Sequence, residues 1–351
     1  MAVAPPNAGL TSPAPASRIR CTVDLDQDGK RHGYLIVPHS RNESAWGCIQ
    51  IPIAVVRGGT GPTILLIAGS HGDEYEGPVA LIKLARTLDP SRIAGRVIVV
   101  PSMNLPAVRD GTRLSPLDGL NMNRIFPGRR DGTVTSMIAH YVFHELVRRA
   151  DVVVDLHSGG KTLDFVPSAV MHELEDRALM DRTLAALRAF GSPLALVLKE
   201  LDNEGMLDTV VEESGRVFLS TELGGCGTTT PGRIAIADRG VHNLLCHFGV
   251  LDDEPRPGAI PTRLMHTPDE DSFLTAEEAG LCEPLVELGA EIAAGTPVFR
   301  IHSFEQPERE PAVSIARRAG VVYSRHAPGL VQRGDCLAVI AVDYAGAAAR
   351  P

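Results

Sequence analysis

The chain has 351 residues, 44% hydrophobic and 22% charged, enough to bury a large core in one or two domains. Its formal net charge of −9 argues against nucleic-acid and anionic-membrane partners, which select clustered positive charge. Cys21, Cys48, Cys226, Cys246, Cys282 and Cys336 are scattered, with no C-x-x-C pair, as free thiols in a reducing compartment would be. The N-terminus lacks the basic start and apolar core of a secretory signal, and no apolar run approaches the ~18 residues of a membrane span. A soluble cytoplasmic protein is expected.

Residues 1–19, rich in Pro, Ala and Ser, read as a flexible tail. From about residue 20 to 58, "RIRCTVDL", "HGYLIVP" and "CIQIPIAVVRGG" read as strands joined by turns. Four continuous apolar runs follow: "TILLIAG" (63–69), "RVIVVPSMN" (96–104), "DVVVDLHSGG" (151–160) and "RVFLSTELGG" (216–225). Such runs suit strands covered on both faces. Helical patterns lie between them, at 77–88, 135–150 and 174–191. The alternation predicts an α/β fold with a mixed, mostly parallel sheet flanked by helices, over residues 20–251. "DDEPRPGAIPT" then reads as a linker, and residues 252–351 as linker plus a small β-rich part. There "AGLCEPLVELGAEIAAGTPVFRI" (279–301) is echoed by "AGVVYSRHAPGLVQRGDCLAVIA" (319–341), which predicts a quasi-symmetric sandwich or barrel.

The chemistry gathers at strand ends, where open α/β sheets collect ligands. "AGSHGDEYEG" (68–77) places His71 and Glu74 in H-x-x-E spacing directly after an apolar run, and His157 ends another. Two histidines, one carboxylate and an open fourth position make a catalytic zinc set. On its own, H-x-x-E is also the pattern of a solvated acidic turn, and His157 beside Asp155 that of a satisfied core histidine. His140 and His144 share a helix face but lack the H-E-x-x-H arrangement and an evident third ligand, and His242/His247 spacing is weaker still. They read as structural. The absence of G-x-S-x-G, P-loop and G-x-G-x-x-G patterns removes support for serine hydrolysis, phosphoryl transfer and dinucleotide chemistry.

The ordered set "GSHGDEYEG", "LNMNRIFPG", "DLHSGG", "TELGG" resembles the succinylglutamate desuccinylase/aspartoacylase family of the zinc carboxypeptidase superfamily. The resemblance covers most of residues 35–340. It implies one zinc ion held by His71, Glu74 and His157. It implies Glu222 as the catalytic glutamate, Asn123 and Arg124 as the grip on the substrate's α-carboxylate, and Arg113, with Arg109 close by, as the residue that polarises the scissile carbonyl. Without it, Arg124 reads as a structural ion-pair member and Glu222 as a buried strand-end carboxylate. Asn121-Met122 stand where the family usually has Asp-Leu, so that turn's hydrogen bonding is open.

The expected activity is zinc-dependent hydrolysis of an N-α-acetyl amino acid, with N-acetyl-2,4-diaminobutyrate the expected substrate. The alternatives are a desuccinylase or aspartoacylase acting on an anionic substrate, and an inactive zinc-binding scaffold. An ammonium on the substrate would need an acidic or carbonyl-lined pocket, for which Glu200, Asp202 and Glu204 are candidates. The C-terminal half-repeat resembles lipoyl and biotinyl carrier domains, which attach their cofactor to a hairpin lysine. No lysine follows Lys199, which excludes that function. This part is expected to shape the active-site mouth or make a homo-oligomer contact. Tyr323 reads as a core residue, with contact to the substrate as the alternative.

Overall fold

A computed structural model describes residues 16–199 and 204–346. Its spine is a long mixed sheet. The hairpin of Gly29–Pro38 and Cys48–Gly58 forms one flank, and Cys48–Gly58 runs antiparallel to Gly95–Val100. Gly95–Val100, Thr63–Ala68, Val152–His157 and Val217–Glu222 then lie side by side in parallel. Beyond them Ser168–His172 is antiparallel to Val217–Glu222, and Ser168–His172, Leu194–Leu198 and Arg263–His266 are mutually parallel. The sheet is thus parallel at its centre and antiparallel at its joins. The strands at 168–172 and 194–198 and the helix Pro231–His247 were not singled out in the sequence; each sits between louder signals.

The parallel centre is apolar because it is covered twice. All six residues of Thr63–Ala68 are buried. Ile64, Leu66 and Ala68 face one core, under the helices Glu76–Thr87, Arg177–Phe190 and Pro231–His247. Leu65 and Ile67 face the other, under Val134–Tyr141 and Leu207–Glu213. The helix ends follow local chemistry. Asp176 caps the amides of Ala178 and Leu179, and Gly191 in the left-handed region closes the same helix. The pattern predicted over 135–150 is helical but irregular. Its α-helical turns end at Tyr141 and a π turn occupies Val142–Leu146.

Chain order reverses about Thr63–Ala68. The next strand, Gly95–Val100, lies on one side and Val152–His157 on the other. Such a switch point opens a crevice at the carboxyl ends of the strands.

The sequence echo is a structural one. Gly280–Pro284 pairs with Pro297–His302 of its own half and with Leu330–Val331 of the other half. Gly320–His326 pairs with Cys336–Asp343 and with Glu291–Ile292 in the same exchanged way. The two halves enclose one core containing Val298, Phe299, Val322 and Leu337. Cys336–Asp343 also pairs with Arg263–His266, so the central sheet continues into this part without a break. Ile19, within the expected tail, is buried, and residues 1–15 lie outside the described residues.

Candidate active site

The loop after Thr63–Ala68 is forced inward. Gly72 lies so close to Ala107 that a Cβ there would stand 1.9 Å from its carbonyl oxygen, which only glycine permits. Helix Glu76–Thr87 starts almost at once, and His71, Asp73, Glu74 and Glu76 are all buried. A solvated acidic turn is therefore ruled out. Asp73 accepts the Lys161 amide at 2.9 Å, tying this loop to the one after His157.

His157 and Glu222 end neighbouring strands and are partners in register. Side chains alternate along a strand, so residues in register share a face. His157 and Asp155 on one strand, and Glu222 and Ser220 on the other, point to the same side. Ser168, opposite Glu222 on the next strand, extends the row, and so does His172.

His71, Glu74 and His157 converge: one ligand atom from each lies within 4.8 Å of the others. Nδ1 of His71 is 2.7 Å from Oε1 of Glu74, and Nδ1 of His157 is 2.9 Å from Oε2. Both rings are held from behind. Nε2 of His157 is 2.8 Å from Asp155, which itself accepts Ser70 Oγ at 2.8 Å. Nε2 of His71 is 3.0 Å from Asn121 Oδ1. Such outer partners fix the rings and leave the inner nitrogens as donors. Burial opposes charge on Glu74, yet His71 and His157 hold its carboxyl far below the usual carboxylate range. Burial also opposes charge on His157, but Asp155 and Glu74 prevail and raise it well above the ordinary value. A buried carboxylate thus lies between two imidazoles. Two imidazole nitrogens and a carboxylate oxygen fit a zinc ion with one open position.

The other expected residues line one cavity of about 270 Å³ beside this group: Arg113, Asn123, Arg124 and Glu222. Burial, then the nearby Glu74 charge, pushes the Glu222 carboxyl up to about 8. Its Oε2 is buried and finds no hydrogen-bond partner among the described residues. Arg113 donates to Glu74 at 3.3 Å, while Arg109 is exposed and outside the cavity lining.

The open question at Asn121 has an answer in geometry. Its Oδ1 accepts the Asn123 amide at 3.0 Å as well as meeting His71, so a neutral amide performs both contacts. Asn123 Oδ1 then accepts the Leu207 amide at 2.8 Å. Arg124 donates to the Asn123 carbonyl at 2.7 Å, and no carboxylate pairs with it among the described residues. That leaves its guanidinium face available to a ligand.

The cavity also contains His172 and Asp208, neither of which stood out in the sequence. The alternation of Ser168–His172 opposite Glu222 was the available signal for His172. Glu204 is exposed and does not line the cavity, and Glu200 and Asp202 lie outside the described residues. Tyr323 is buried, with its hydroxyl 2.8 Å from Ser168 Oγ, and is absent from the lining. Its strand pairs with Leu163–Phe165, so the β-rich part reaches the loop that follows His157.

A buried two-histidine, one-carboxylate centre at the switch point of an α/β sheet is the architecture of a metal-dependent hydrolase. Residues 60–248 match the succinylglutamate desuccinylase/aspartoacylase catalytic domain. The chain belongs to that family. It is 45% identical, over 95% of its length and 96% of the relative's, to N-alpha-acetyl-L-2,4-diaminobutyric acid deacetylase of Halomonas elongata. It is also similar to the product-bound ectoine utilization protein EutE (DoeB) from Ruegeria pomeroyi, with TM-score 0.91 and 48% identity over 93% of this chain and 100% of that one. A succinylglutamate desuccinylase from a Silicibacter species matches with TM-score 0.90 and 49% identity, over 94% and 100%. No described helix is long and apolar enough to cross a membrane.

Proposed function

We propose that this protein is a zinc-dependent deacetylase acting on N-α-acetyl-L-2,4-diaminobutyrate in ectoine breakdown, releasing acetate and the free amine. The observation that carries the reading is the placement of Glu222 across the strand pair from His157, in one cavity with the His71–Glu74–His157 group, Arg113 and Arg124. The name of the 45% identical relative supports the substrate.

Zinc held by His71, Glu74 and His157 would lower the pKa of a water in its open position toward ~7 and polarise the amide carbonyl. Arg124, a planar fork of donors, takes the α-carboxylate, with Asn123 beside it. This fixes the amide over the metal group. Glu222 receives the proton of the attacking water and returns it to the leaving nitrogen. A carboxyl that burial lifts toward neutrality can do both, and a bound cation nearby favours its ionised form for the first step. Arg113 stabilises negative charge developing on the carbonyl oxygen. The β-rich part shapes the cavity mouth through the pairing with Leu163–Phe165.

A panel of acetyl, succinyl and aspartyl amides tests the reading. Faster turnover of N-acetyl-diaminobutyrate than of succinylglutamate is expected. The reverse order would assign the protein to the desuccinylase branch, and no turnover of any amide by zinc-loaded protein would leave a metal-binding scaffold.

A further inference from the structure

We infer that Asp164 and Arg233 form a positioning pair that sets the aim of Glu222. This rests on the proposed amide hydrolysis, in which Glu222 carries the proton.

Glu222 is held unevenly. Its strand is fixed up to the residue itself, by pairing in register with His157. Its side chain has less support, since Oε2 is buried and finds no hydrogen-bond partner among the described residues. The direction of the carboxylate therefore depends on the backbone on both sides of it. The backbone that follows does not hold its own shape. Gly224 has a φ of +133°, and Cys226 and Gly227 lie at +61° and +60°. For a residue with a Cβ, such as Cys226, that conformation persists only where the surroundings impose it.

Two neighbours impose it. The strand Leu163–Phe165 lies along the turn. The Phe165 amide donates to the Gly224 carbonyl at 3.2 Å, the Cys226 amide donates to the Leu163 carbonyl at 3.1 Å, and Asp164 is bridged to Gly225 between them. The second neighbour is Arg233. It stands in the first turn of helix Pro231–His247, the end at which the helix dipole disfavours a cation. Its side chain is nevertheless only 17% exposed and reaches back over the turn. Nη1 donates to the Gly225 carbonyl at 3.2 Å, and Nη2 donates to Asp164 Oδ1. Nε lies so close to Gly224 that a Cβ there would stand 2.4 Å from it. Asp164 is 5% exposed, and its Oδ2 is 3.8 Å from Arg325 of the β-rich part. One fork of donors thus ties the turn after Glu222 to the segment after His157. A shift of about 1 Å in a reacting group costs on the order of 10²-fold in rate, so a clamp on this turn matters to the chemistry. Neither Asp164 nor Arg233 lines the cavity, so their effect on the reaction passes through the residue they hold.

The test measures kcat, KM and bound zinc with N-α-acetyl-2,4-diaminobutyrate, each substitution being made in the wild type and in Glu222→Gln. Asp164→Asn keeps the shape and removes the charge that seats Arg233. In the wild-type background it should lower kcat by about 10- to 100-fold, with KM within about 3-fold and zinc at about one equivalent. In the Glu222→Gln background it should change kcat by less than about 3-fold, because the residual rate no longer depends on where that carboxylate points. Arg233→Lys keeps the charge and loses the fork. It should give the same pattern with a smaller loss, and it decides the matter should Asp164→Asn fail to fold. An equal loss in both backgrounds overturns the assignment, because that marks the pair as structural. So does wild-type kcat in both variants, or a loss carried by KM or zinc alone. A wild type that cleaves no amide overturns the proposed function itself, and this assignment with it.

Discussion

Two pairs of histidines pack ring against ring in this molecule. His71 and His157 have centroids 5.1 Å apart, and His140 and His144 have centroids 4.4 Å apart. The second pair is the closer and has the more familiar helical spacing. It differs in what surrounds it. His71 and His157 share a buried carboxylate and are each held from behind, by Asn121 and Asp155. Nδ1 of His140 and Nδ1 of His144 find no hydrogen-bond partner, and no carboxylate completes a ligand group with them among the described residues. Burial pulls both of their pKa values down, whereas His157 is raised. Proximity of imidazoles therefore does not make a metal site. A central anion and outer partners do.

The sharpest way to break this comparison is to remove one histidine from each pair. His157→Ala should lower bound zinc from about one equivalent to near zero, with activity falling by about 10⁴-fold or more. His140→Ala should leave the zinc content unchanged. Metal analysis of both purified variants checks the pair of outcomes. A zinc loss in His140→Ala comparable to that in His157→Ala would erase the distinction. The same metal makes a thermal signature. Chelation should lower the melting temperature of wild type and leave that of His157→Ala unmoved, because ligand binding stabilises only the state that binds.

Glu222→Gln separates chemistry from metal holding at the same centre. Zinc content should stay at wild-type level, and kcat should fall by about 10²- to 10⁴-fold, the usual contribution of a general base. Wild-type turnover in this variant would remove Glu222 from the proton path. A smaller effect is expected from Arg124→Lys. The charge is kept but the fork is lost, so KM should rise by about 10-fold with kcat changed less. An equal fall in kcat would instead place Arg124 in the chemical step.

Much of this centre was legible in the chain. His71, His157 and Glu222 each end or directly follow an apolar run, and in an α/β fold that position faces the crevice. Period-two alternation then puts His157 and Glu222 on one face once the strands are parallel and in register. The partners behind the rings were harder. Asn121 lies in a loop fifty residues from His71. Its role depends on one amide oxygen serving two contacts, which no spacing rule records. Asp208 was hidden for a related reason. It opens a short helix whose position is set by packing against the Asn123 turn, not by any periodic signal of its own. The strand at 168–172 escaped because its neighbours on both sides are more strongly marked. The half-repeat was legible as a repeat, but the exchange of short strands between its halves is a property of pairing. Sequence similarity between the halves cannot reveal it.

The smallest predicted effect concerns the His140/His144 pair and its response to pH. Burial is the main cause that lowers His140, with the neighbouring His144 and Arg130 adding to it against Glu145 and Asp131. Burial likewise lowers His144, reinforced by Arg148 and opposed by Glu145. The unfolded chain takes up these protons near the ordinary value of about 6.5, while the folded protein resists until lower pH. Where the unfolded state binds more protons, stability rises with pH. The pair thus costs nothing above about 6.5 and erodes stability as pH falls below it, until the folded-state values are reached. A His140→Gln/His144→Gln variant should therefore lose less of its melting temperature than wild type between neutral pH and pH of about 5, a window set by the ordinary histidine value and the downward shift. Parallel melting curves for variant and wild type across that window would show that the pair ionises as freely in the fold as out of it.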